Sequence, residues 1–248
     1  MKPETETHLH LTIKNLAECA RLIASKPKGA LPNKELIISI GTSWDWLRWA
    51  AGLNDLHFVT NSTRNSARGQ GVTESVRFML MWTAANALFA HDPILALMAP
   101  NPSKLPKKEL ERFKLLHKFA AVDPAAEKTC VDLMHNLLSM ECATNDVKAY
   151  LVAGNPTMWE VIFYKYLRPE DQKCGIGRVI AAALAKKSMP KTDGATIIYG
   201  ARNWTVHGVL LTSFFRGSHR KYQTFMDAIQ LLLAATLHGA AQNLRGRI

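Results

Sequence analysis

The sequence has little of what several large enzyme and export classes require. Its four cysteines, Cys19, Cys130, Cys142 and Cys174, form no CxxC pair and have no histidine at zinc-ligand spacing. Neither a disulfide framework nor a structural metal site is therefore indicated. Scattered thiols suit a reducing compartment, so a cytoplasmic protein is expected. The stretch from Lys2 to Thr7 is polar with no apolar run behind it, unlike a secretory leader. The most apolar run, residues 78–90, is shorter than the roughly 20 residues a membrane span needs, and no membrane partner is expected. No Walker or Rossmann glycine pattern, no HExxH and no GxSxG occurs, which removes the usual footholds for nucleotide, zinc-protease and serine-hydrolase chemistry. No cofactor and no metal are expected. Acidic residues are scarce as well: 20 Asp and Glu against 31 Lys and Arg leave a formal charge of +11, a balance that favours polyanions such as RNA.

What is present is ordinary globular composition, 48% hydrophobic and 21% charged over 248 residues, enough for one large domain or two small ones. The apolar spacing is helical throughout, and the fold class expected is all-α. Residues 1–10 read as a frayed polar start and residues 11–24 as a first helix, broken by Pro27, Gly29 and Pro32. Residues 36–40 lean towards helix, and Ser43 stands as an N-cap ahead of Trp44, Trp46 and Trp49, expected to be buried by packing. The polar stretch 60–71, TNSTRNSARGQG, marks a linker with Arg64 and Arg68 in it. It divides an N-terminal helical extension, residues 1–68, from a helical domain, residues 69–248.

In that domain, residues 73–91 form a buried central helix, apolar almost all round in its second half with Thr83 and Asn86 as its polar exceptions. Pro93, Pro100, Pro102 and Pro106 predict an irregular connection. A helix over 107–121 carries His117 at the core edge, and Asp123 with Pro124 opens the next one, which carries His135. Thr157 and Glu160 make a capping box, residues 175–187 read as helix, and Asp193 with Gly194 turns the chain into a helix over 195–215. Ser218 is the expected N-cap of a last helix with the stripe Tyr222, Phe225, Met226, Ile229, Leu232, Leu233, Leu237 and Ala240.

The helix over 195–215 holds the one constellation that looks like chemistry, Arg202, Asn203 and His207. Ile197, Ala201, Trp204, Gly208, Leu211 and Phe215 fall on one stripe, which predicts the polar trio at the rim of the core, Asn203 and His207 stacked at i and i+4. Gly208 is costly inside a helix, by about 1 kcal/mol against alanine, and predicts the close approach of a second backbone. RNA carries its own nucleophile, the 2′-hydroxyl. Cleaving it takes a base, an acid for the leaving 5′-oxygen and a cation for the phosphate. Imidazole exchanges protons near neutrality and guanidinium offers phosphate a planar fork. From residue 195 onward the cations Arg202, Arg216, Arg220, Lys221, Arg245 and Arg247 face one acid, Asp227, and Arg216, Arg220 and Lys221 are the candidate RNA-binding residues beside the motif.

An Arg-Asn pair, three intervening residues and then His-Gly within an amphipathic helix, followed by another long helix, resembles the R-N-x-x-x-H signature of the HEPN superfamily. Residues 78–90 are similar to the first core helix of such domains and residues 221–244 to their closing helix, so the resemblance covers about residues 70–246. It implies a helical bundle that dimerises through its motif helix and, in many members, metal-independent endoribonuclease activity in stress or phage defence, as in toxins. Arg202, Asn203 and His207 would be the catalytic residues. Val209 stands where members paired with nucleotidyltransferase antitoxins carry tyrosine, which speaks against that pairing. Some members are non-catalytic RNA-binding or scaffold modules, and others act only with a regulatory partner protein. Both alternatives stand beside the nuclease.

Overall fold

The computed structural model describes residues 1–27, 33–54, 67–142, 193–206 and 219–248. The described residues form eight helices and no strand: α1 Pro3–Ser25, α2 Asn33–Gly52, α3 Ala67–Phe89, α4 Asp92–Met98, α5 Glu109–Ala120, α6 Pro124–Cys142, α7 Gly194–Val206 and α8 His219–Arg245. The chain is all-α over these residues. The capping box at Thr157, the helix over 175–187, Arg64, Cys174, Ser218 and residues 207–215 of the expected motif helix lie outside them.

The longest helix, α8, organises the packing. Its stripe from Tyr222 through Phe225, Met226, Ile229, Leu232, Leu233 and Leu237 to Ala240 is buried as the spacing predicts. One flank receives α1, whose buried residues Thr5, Leu9, Thr12, Leu16, Cys19 and Ile23 recur at alternating steps of four and three. His8 lies beside His238 and Asn15 beside Arg245, so the two helices run in the same direction. Residues 3–10 are therefore helix and not a frayed start: Thr5 and Leu9 are on the apolar seam, and Pro3 sits in the first turn, where its missing N–H costs nothing. Residue 69 lies within α3, and one apolar cluster takes in Leu16 of α1, Leu47 of α2, Phe78 of α3 and Phe225 of α8.

Three other expectations are corrected. Ser43 is not a cap but an interior residue of α2, fully buried, on a seam with Leu36, Ile40, Leu47 and Ala50. Among the tryptophans of α2, Trp49 is 67% exposed, stacked edge-on to Trp46 at 5.6 Å, because the seam lies on the other face. Pro93 starts a short helix, α4, where an irregular connection was expected, since proline's fixed φ suits a first turn. Ahead of α6, Asp123 Oδ1 accepts the amide of Ala125 at 3.1 Å, as an N-cap does.

Helix ends leave carbonyls without partners, and two arginines meet them. Arg112 of α5 donates to the carbonyls of Phe89 and Ala90 at the end of α3, each at 2.7 Å, to Pro106 O at 3.2 Å, and to Asp92 Oδ1 at 2.7 Å. Arg77 of α3 donates to the carbonyls of Ala50 and Leu53 at the end of α2 and pairs with Glu74. Glu74 Oε2 also accepts from Gln230 of α8 at 2.8 Å, and Oε1 lies 3.3 Å from the amino group of Met1. Burial alone would raise the Glu74 carboxyl; the bonds from Arg77 and Gln230 and the amino charge together hold it below the ordinary carboxylate range. This buried brace fixes α2, α3 and α8 to one another.

Candidate functional site

α7 is built for burial. Asp193 Oδ1 accepts the amide of Thr196 at 2.7 Å and its hydroxyl at 2.6 Å, so the residue read from the sequence as part of a turn is the N-cap of α7. The next two turns, Ala195 to Ala201, are buried on every side, Thr196 and Tyr199 included. A helix buried all round belongs in an interior, not on an edge. A second anchor holds its start. Glu127 of α6 accepts the Gly194 amide at 3.2 Å and lies 3.0 Å from His117 Nε2, while His117 Nδ1 lies 2.8 Å from Thr236 Oγ1. Because the Thr236 hydroxyl donates to Leu232 O at 2.8 Å, it accepts from the Nδ1 side. A carboxylate at a helix N-terminus also suits the dipole. His117, read from the sequence as a core-edge residue, thus ties α5, α6 and α8 around the beginning of α7.

At the other end stand Arg202 and Asn203. Arg202 Nη1 donates to Asn203 Oδ1 at 2.7 Å, and Arg202 Nη2 lies 3.1 Å from Glu109 Oε1 at the start of α5. The Tyr199 hydroxyl donates to the other Glu109 oxygen at 3.3 Å. The guanidinium carbon is 5.7 Å from the Trp82 ring centre and 5.8 Å from that of Tyr199, within reach of the quadrupole of both rings. Trp82 is itself wedged edge-on against Phe89, Phe113 and Tyr199. The result is a fixed guanidinium in an aromatic corner, its side chain 17% exposed.

The rim position expected for the trio is corrected for Asn203, which is 1% exposed. The stripe drawn from sequence was one-sided, whereas this part of α7 is surrounded. Among the described residues, Arg202 Nε and Asn203 Nδ2 have no hydrogen-bond partner in the interior. Buried donors of this kind are rare, because each forgoes its bond to water.

His207 and Arg216 lie outside the described residues, as does Gly208 with its expected close approach. Arg220 and Lys221 are on a different element, the first turn of α8, Arg220 exposed and Lys221 half-buried. No acid accompanies them in that turn, although a helix N-terminus favours negative charge. Asn86 is half-buried in α3. Sequence reasoning missed Glu109 and Tyr199. Glu109 is an ordinary first-turn acid, with nothing local to mark its partner; Tyr199 stands three residues before Arg202 on the same side, a spacing that did contain the signal.

Backbone closeness appears where it was not sought. A Cβ at Gly239 of α8 would collide with the Ala120 carbonyl at the end of α5. Among the described residues no group of three or more His, Cys, Asp or Glu is placed to hold a metal, and no helix is long and apolar enough to cross a membrane. Cys19 and Cys130 are free and buried, and burial pushes the Cys19 thiol up to about 12. No protein-family model, curated protein or solved structure matches this chain.

Proposed function

We propose that the protein is a metal-independent endoribonuclease on an HEPN-like bundle, acting in stress or phage defence as a homodimer through its motif helix. The observation that carries the reading is the Arg202–Asn203 pair: a guanidinium and an amide joined at 2.7 Å on a rigid, buried helix, with His207 four residues further along the sequence.

The division of labour follows from the chemistry. His207 and its copy in a dimer supply the base for the 2′-hydroxyl and the acid for the leaving 5′-oxygen. Arg202 meets the phosphate charge, its plane held by Trp82 and Tyr199. Asn203 Oδ1 is committed to Arg202, so its Nδ2, without a partner among the described residues, is the donor left for the reacting groups. Arg220 and Lys221 add positive charge for the RNA strand. Attack by the 2′-oxygen closes a 2′,3′-cyclic phosphate and frees a 5′-hydroxyl.

A second reading has its own observation. Arg202 already pairs with Glu109, and a phosphate has to share that guanidinium with a carboxylate. This favours a non-catalytic RNA-binding or scaffold module in which the pair is part of the packing, or a protein switched on by a regulatory partner. Purified protein incubated with total RNA in EDTA, beside His207→Ala, separates them. The nuclease yields cyclic-phosphate and 5′-hydroxyl ends that disappear in the variant and spares DNA, which lacks the nucleophile. Cleavage unchanged in His207→Ala, 5′-phosphate ends or equal cutting of DNA would reject it.

A further inference from the structure

Away from the motif, the outer face of α5 lines a groove. Glu111, Lys114, Leu115 and Lys118 recur at helical spacing on one side of α5, while Phe113, Leu116 and Ala120 on the opposite side enter the core. Glu109, which holds Arg202, is on that inner side, so the groove and the motif are separated by the thickness of α5.

Two adjoining clefts make up the groove, about 750 Å³ and 330 Å³, sharing Pro100, Leu115 and Lys118. Their walls are the segment after α4 and the end of α8. Five cations line them, Lys104, Lys114, Lys118, Arg245 and Arg247, against one acid, Glu111. Glu111 lies 3.5 Å from Lys114 in an exposed pair worth little. Arg245 bonds to Asn15 Oδ1 at 3.1 Å and also faces Glu18. Lys104 and Lys118 are exposed. At the larger cleft Arg247 lies over the Phe119 ring, 5.3 Å from its centre, and is steadied by the Leu97 carbonyl at 3.2 Å.

We infer that this groove binds a single-stranded nucleic acid, the phosphates along Lys104, Lys114 and Lys118 and a base against the Arg247–Phe119 stack. A row of cations alone would take any polyanion. The flat guanidinium on an aromatic ring, at the end of that row, adds a surface on which an unpaired base stacks, and an acidic peptide has no use for it. The cleft volume is in the range that holds a nucleotide-sized group. The inference rests on the groove and is independent of the nuclease reading.

The test uses the full chain and a fluorescent 2′-O-methyl RNA of about 12 nucleotides, within the span of single-strand sites and not open to 2′-hydroxyl attack. Binding is followed by anisotropy against salt. Lys104→Glu with Lys118→Glu changes two exposed side chains, and Arg247→Ala removes the stack. The charge pair should weaken binding by at least about tenfold and flatten the log–log salt dependence by about 1.4, two phosphate contacts at 0.7 each. Arg247→Ala should weaken binding with little change in that slope beyond one contact. Equal affinity in wild type and the charge-pair variant, with matched thermal melts, overturns the proposal. So does polyglutamate that competes as well as RNA, which would make the groove an acidic-peptide site, or binding lost in Arg202→Ala and kept in both groove variants.

Discussion

Two arginines, Arg77 buried and Arg202 half-buried, each paired with a glutamate, hold the molecule at different places and in different ways. In the brace between α2, α3 and α8, Arg77 has an acceptor facing each nitrogen: Ala50 O for Nε, Leu53 O for Nη2 and the Glu74 carboxylate against Nη1, off the direction of a hydrogen bond but in ion-pair contact. Its side chain is 4% exposed. At the end of α7, Arg202 is nearer the surface, Nη1 and Nη2 are engaged, and among the described residues Nε and the neighbouring Asn203 Nδ2 have no hydrogen-bond partner. A guanidinium with a carbonyl or a carboxylate against every nitrogen, Nη1 by charge contact alone, is a structural fastening. One that keeps spare donors in the interior has a stability cost that a ligand can recover.

The sharpest way to separate the two is to remove each arginine. Arg77→Ala leaves Glu74 with only Gln230 and the Met1 amino group, strands two carbonyls at the end of α2 and should cost about 3–5 kcal/mol of stability, the range for breaking a buried pair, read as a large drop in the denaturant midpoint. A loss under about 1 kcal/mol would place the brace among ordinary surface pairs. Away from both clusters, where α8 meets the end of α5, Gly239→Ala should cost about 1–3 kcal/mol through overpacking against Ala120. Arg202→Ala, by contrast, should lower stability by no more than about 1 kcal/mol, given a half-open pair, while abolishing RNA cleavage. An Arg202→Ala loss as large as that of Arg77→Ala would erase the comparison and favour the structural reading of the motif.

Two smaller effects refine it. Ala121, which ends α5, has φ 49°, a left-handed conformation that a side chain disfavours. Ala121→Gly should add up to about 1 kcal/mol, seen as a rise in Tm, without touching either cluster. The smallest effect is one of pH. His8 and His238 meet at 3.2 Å between α1 and α8. Burial lowers the pKa of both, and for His238 the charge of His8 adds to it. A lowered folded pKa means that the unfolded chain binds more protons below about pH 6.5. Stability should therefore hold above that pH and decline as pH falls through it towards the folded values. His238→Asn should flatten the decline. A melting temperature that instead rises on acidification over this window would contradict the assignment.

Much of the framework was legible in the sequence because it depends on local rules. The stripe of α8, the Asp123 cap, the turn at Asp193 and the buried central helix α3 follow from spacing and from side chains that bond their own backbone. Errors came where one pattern has two outcomes. Proline near 93 breaks a helix or begins one; Ser43 caps or is carried along a seam; the tryptophans of α2 are buried or, for Trp49, exposed.

For the candidate site, the sequence by itself determined that Arg202 and Asn203 share a helix turn, that His207 follows at i+4, and that the chain is basic. Tertiary structure alone decided that Asn203 is interior, that Arg202 rests on Glu109, Tyr199 and Trp82, and that Lys104, Lys118 and Arg247 meet in one groove. The physical reason is distance along the chain. Glu109 and Arg202 are 93 residues apart and Phe119 and Arg247 are 128 apart; side-chain type says that such groups seek a partner, and only the packing of α5 between α7 and α8 selects which one.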